Sequence, residues 1–195
     1  PATTRPQTRT PLNRERVLFS TLGPLAVPEI VEQEIRRKAC QDRRFAAAER
    51  VLSKVPTRLL EILSDVVTND LAAVVQRIAG MPMVGRIRSN KDLGETMVVA
   101  HAAVAAERGE QVIVLIDDSG GRAVAAREAA RLQRLKGQRP EVGAISLVTT
   151  ISVLKKAAGG NHLPDKDAMR DLYGRLRGID DGLLPIAQTG LMDLP

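Results

Sequence analysis

Apolar positions along this chain mostly recur at helical spacing, and one run is apolar without any period. After Pro28, Ile30, Val31, Ile35 and Ala39 recur every three or four residues, which predicts a helix that continues, with a break, to about Leu52. Ahead of it, the short apolar segment within Leu22 to Val27 lies between Gly23 and Pro28 and reads as a buried strand. Leu59, Leu60, Leu63, Val66, Val67, Leu71 and Val75 predict a second helix over Thr57 to Ala79, stopped by Gly80. Met81-Pro82-Met83 reads as a turn, and Leu93 to Glu107 as a small, apolar helix closed by Gly109. The run Gln111 to Ile116 is different. Its apolar residues are consecutive, the mark of a strand covered on both faces.

The loop Asp117-Asp118-Ser119-Gly120-Gly121 follows, and then a helix from Arg122 to Leu135 that ends near Gly137. Val142-Gly143 reads as a short strand. Ala144 to Leu154 carries β-branched residues, but its length and the following Lys155-Lys156-Ala157-Ala158 favour a helix. Asp165 to Arg177 is the last helix, stopped by Gly178, and residues 1–16 have no period and read as an arm. Strand, helix, strand, helix in this order predicts an open α/β sheet with crossover connections. Such sheets place ligands beyond the carboxyl ends of their strands, which is where Asp117 and Asp118 fall.

Composition narrows the functional classes. The chain has 195 residues, a net charge of +6 and no apolar run near the roughly 20 residues of a membrane helix. Pro1 to Arg16 has no apolar core, so no signal peptide is expected. One cysteine, Cys40, excludes an internal disulfide and a Cys-based zinc cluster, and fits a reducing cytoplasm. The aromatic residues are Phe19, Phe45 and Tyr173, too few for a base-stacking surface, so any nucleic acid would be held by arginine and by bound metal.

Two adjacent carboxylates at the end of a buried strand repel each other unless a cation or an arginine compensates, and a hard divalent metal would do so through oxygen. They would equally serve as a solvated turn that caps the helix at Arg122. Glu95, in Asp92-Leu93-Gly94-Glu95, stands where a carboxylate either binds a ligand or steadies a first helical turn. Glu34 lies beside the apolar stripe of its helix. Arg127, Arg131 and Arg134 share one helix face, either a phosphate track or a solvated surface. His101 and His162 are too few for a histidine zinc site, and Gly120-Gly121 is too short for a phosphate-binding fingerprint.

Over residues 22–191 the ordered segments resemble a PIN-domain protein. Leu25-Ala-Val-Pro28 with Val31-Glu-Gln-Glu34-Ile35, then Asp92-Leu-Gly-Glu95, then Val114-Leu-Ile-Asp-Asp118 with Gly121-Arg122 and Ala125, are similar to the family's acidic segments. The resemblance implies a three-layer α/β/α fold around a central, mostly parallel sheet, as one domain over residues 17–195, with residues 53–82 as helical material added to that of the compact toxin-type members. It implies Mg2+ or Mn2+ as cofactor, held by Glu34, Glu95, Asp117 and Asp118 as catalytic ligands, with Asp118 preferred over Asp117. Arg122 and Arg127 would meet substrate. RNA is the implied substrate, and an antitoxin protein the implied partner of toxin members. The apolar helices add the expectation of a homodimer or another bound partner. The family's first strand ends in an Asp, whereas here no acidic residue precedes Glu15. The resemblance therefore implies a ribonuclease if that Asp comes from outside these residues, and otherwise an inactive PIN-like module that binds RNA or a protein partner.

Overall fold

A helix that is apolar or small on every side is stable only when it is surrounded. Leu93–Glu107 is such a helix (α6), with Met97, Val99, Ala100, Ala103 and Ala106 buried, and the rest of the chain is arranged about it. The computed structural model describes residues 13–193 apart from Asn90 and Asp181. The part of the expected arm at residues 1–12 lies outside the described residues. The arm does not extend to residue 16, because Asn13–Leu22 is helical (α1).

The elements that follow are β1 (Leu25–Pro28), α2 (Glu29–Gln41), a 3-10 turn at Arg43–Phe45, α3 (Ala46–Lys54), β2 (Leu60–Leu63), α4 (Asn69–Ala79) and α5 (Met83–Arg86). After α6 come β3 (Gln111–Leu115), α7 (Ser119–Lys136), β4 (Ala144–Val148), α8 (Thr150–Ala157) and α9 (Lys166–Arg177). The mixed α/β class expected from the sequence holds. The described strands form two parallel pairs: β1 with β2, Leu25 opposite Leu60, and β3 with β4, Gln111 opposite Ala144.

Three expectations are corrected. Residues 57–79 are not one helix, since Leu60–Leu63 is drawn into a strand by β1 and only Asn69–Ala79 is helical, started by the Thr68 hydroxyl capping Leu71. Residues 53–82 are therefore not purely helical additions. Ala144 to Leu154 is likewise not one helix. Its first half pairs with β3, and a Thr149/Ser152 capping box then starts α8. The third concerns β3, which is covered on one face and only in part on the other: Ile113 is 54% exposed.

One core joins Leu71, Val74 and Val75 of α4, Met83, the buried face of α6, Val114 and Ile116, Leu132 of α7 and Ile145 of β4. A second joins Val17 of α1 to Leu154 of α8, Leu163, and Met169, Leu172 and Tyr173 of α9. Val114 and Ile116 face the first core, while Leu115 lines a cavity of about 220 Å3 with Val17, Val153 and Leu172. Side chains alternate along a strand, so the two cores lie on opposite faces of β3.

Charge clamps the first core at its edge. Glu128 of α7, 6% exposed, accepts hydrogen bonds from Arg77 of α4 and Arg131, and both arginines also reach Glu107 of α6. The entry to β4 is tighter still. A Cβ on Gly143 would lie 1.8 Å from the Glu110 carbonyl oxygen, so only glycine lets its N–H reach Ala106.

Candidate functional site

The strand pairs share a direction, and α6 reveals it. At the carboxyl end of β1, the Glu34 carboxylate of α2 lies against Gly94 in the first turn of α6: a Cβ there would come within 3.1 Å of Oε2. At the carboxyl end of β3, Gly121 lies against Glu95 in the same turn, 3.0 Å from Cγ by the same measure. The amino end of β3 meets the other end of α6, where Glu110 N–H donates to Ala105 C=O. All four strands therefore run antiparallel to α6, and their carboxyl ends form one rim.

Glu34, Glu95 and Asp118 line that rim. Each stands near the amino end of a helix, where oriented N–H groups favour an anion. Glu34 is half-buried, and its Oε1 is 3.3 Å from Lys38 Nζ. Glu95 is half-buried between α6 and Gly121. Asp118 caps α7, its Oδ2 accepting the Gly121 N–H at 2.7 Å. Asp117 turns away from Asp118. Its two oxygens accept the Thr150 N–H at 2.9 Å and the Thr150 hydroxyl at 2.5 Å, tying β3 to the start of α8. The adjacent aspartates are thus met by two separate sets of donors.

Two supports of the rim carry no motif. Buried Arg86 donates to the carbonyls of Ser89 and Lys91 and to the Thr96 hydroxyl. It holds the loop before α6 in place, where Asp92 takes a left-handed φ of 51° and its carbonyl accepts from Thr96. Asp65 accepts the Ile30 N–H at 2.7 Å and meets His101 Nε2 at 2.7 Å, fixing the start of α2, and with it Glu34, onto α6. Nothing in the local sequence marks either residue, since Asp65 follows Ser64 and Arg86 stands between Gly85 and Ile87.

Among the arginines, Arg122 is exposed in the first turn of α7 beside the rim. Arg127 is exposed five positions further on, roughly 140° around the helix, so the two cannot form one track along it. Arg131 does not belong to a phosphate track, because Glu128 and Glu107 engage it. His162 lines a separate surface cleft with Ser20 and Lys156.

Comparisons with family models, with curated proteins and with solved structures give no match. The functional reading rests on the rim itself.

Proposed function

We propose that the rim at the carboxyl ends of β1 and β3 is the divalent-cation site of a PIN-like ribonuclease of three-layer α/β/α type. The observation that carries this reading is that Glu34, Glu95 and Asp118, from three separate segments, stand about the first turns of α6 and α7, each against Gly94 or Gly121. Ligands of open parallel sheets bind at such ends. The donors fit a hard cation in kind, since all are carboxylate oxygens. They are short in number: among the described residues no three acidic, histidine or cysteine side chains are grouped to hold one ion. A bound Mg2+ or Mn2+ would supply an acidified water and screen charge at phosphorus. The chain's own residues would do the rest. Arg122 would hold a phosphate at the rim, and Asp118 would keep one oxygen on Gly121 and offer the other.

A second reading is a PIN-like module that binds RNA or a protein partner without cleaving. The duties of Asp117 toward Thr150 and of Asp118 as a cap favour it, because each carboxylate has a reason to be there without a metal. Cleavage of a labelled RNA in millimolar Mn2+, repeated with Asp118→Asn and Glu95→Gln, separates the two. The nuclease reading expects cleavage that both substitutions abolish and a melting temperature that Mn2+ raises. Cleavage untouched by either substitution removes the site assignment, and RNA retention without cleavage selects the second reading.

A further inference from the structure

The cavity of about 220 Å3 behind β3 is walled by α1, β3, α8 and α9. Buried Val17, Val153, Leu154 and Leu172 form its inner end, and it opens to the surface between half-buried Leu18, Leu115 and Leu176. Apart from Thr150, every lining side chain is aliphatic. An apolar cavity of about 150 Å3 already stays dry and takes up benzene. A water held here would need two or more polar partners, and Thr150 alone does not supply them. The space therefore suits an apolar molecule built on a single ring or a short alkyl chain.

Thr150 decides the polar end. Its N–H donates to Asp117 Oδ1 at 2.9 Å and its hydroxyl to Oδ2 at 2.5 Å, so the one hydroxyl proton is already used. The Thr150 oxygen has only lone pairs left, and these accept. Asp117 lies two residues beyond Leu115, so it stands on the cavity side of the chain, and a carboxylate also only accepts. A ligand head at this end must therefore donate. It does not need a full charge, because the amino end of α8, which starts at Thr150, already offsets part of the Asp117 carboxylate. A hydroxyl meets both demands. A ketone or carboxylate would set acceptors against acceptors, and an ammonium would give up its hydration for a carboxylate that is offset in part.

We infer that this cavity binds a small apolar alcohol or phenol, its body against Val17, Val153 and Leu172 and its O–H on Thr150 Oγ1. Leu115 and Thr150 belong to the two segments that Asp117 ties together, so the bound molecule steadies the end of β3 against α8. The site lies on the face of β3 opposite the first core. The inference does not depend on the acidic rim binding a cation.

The test compares para-ethylphenol with ethylbenzene, two probes of one shape that differ by the hydroxyl. Methyl carbon–proton spectra of the full chain follow Val17, Leu115, Val153 and Leu172 as each probe is added. Both probes should give saturable shifts at these methyls, with para-ethylphenol about three- to tenfold tighter, as one hydrogen bond allows. A cavity without a free acceptor has the opposite preference, because the phenol would bury an unpaired hydroxyl. Thr150→Val should therefore remove the preference. Leu18→Phe and Leu176→Phe enlarge half-buried wall residues from two different helices, so one stands if the other fails to fold. Each should abolish binding while the proton–nitrogen spectrum away from the cavity is kept. Ethylbenzene binding as tightly as para-ethylphenol, a preference that survives Thr150→Val, or shifts that persist in a folded filled variant would overturn the inference. So would shifts that rise without saturating.

Discussion

Replacing Glu128 by glutamine keeps the side-chain shape and removes one charge from the network that binds α4, α6 and α7. Glu128 accepts from Arg77 at 3.3 and 3.1 Å and from Arg131 at 2.9 Å, and its side chain is 8% exposed. Breaking a fully buried pair from one side costs about 3–5 kcal/mol, and an exposed pair less than about 1. Arg77 and Arg131 are 34% and 24% exposed and keep Glu107, so the loss falls between, at about 2 kcal/mol. For a chain of this length that is roughly 4–8 °C in melting temperature. The dependence on pH is the sharper test. Burial would push the Glu128 carboxyl up, but hydrogen bonds from Arg77 and Arg131 outweigh it and hold the carboxyl below its ordinary value. A carboxyl lowered by folding adds stability that is full above its unfolded value, near 4.3, and is lost as pH falls through the folded value. Urea unfolding of the native chain and Glu128→Gln should therefore show a gap that is constant from pH 7 to about 5 and closes below about 4. Equal midpoints at pH 7, or a gap that stays constant or widens in acid, would refute the network as drawn.

Two other substitutions test the frame of the site. Asp118→Ala removes the α7 cap and should cost about 1 kcal/mol in urea, whereas Asp118→Asn, an equally good cap, should stay within a few tenths. Gly143→Ala puts a carbon 1.8 Å from the Glu110 oxygen, so circular dichroism and a proton–nitrogen spectrum should find it largely unfolded.

What was legible in the sequence was what local chemistry decides. The all-apolar α6, the unbroken run of β3 and the Asp165-capped α9 have the expected bounds within a residue or two. Elements settled by long-range pairing were not legible. Leu60-Glu61-Ile62-Leu63 is made of good helix formers, and β1 alone turns it into a strand. Reading residues 144–154 as one helix also hid the site's wiring, because Thr150 then has no reason to meet Asp117. The order of acidic residues put Glu34, Glu95 and Asp118 at strand and helix ends, and the structure sets Glu34 against Gly94 and Glu95 against Gly121 without grouping the three carboxylates. Nothing local announced that Asp117 and Asp118 would be satisfied by different elements, or that Arg86 and Asp65 would fix the turns that carry Glu95 and Glu34.

The acidic rim has one cause, the position of α6. Its first turn, with those of α2 and α7, gathers helix amino ends at one place, and their dipoles offset the charge of the carboxylates that stand there. Its length also forms the base against which both strand pairs rest, so the element that packs the core is the one that sets the rim.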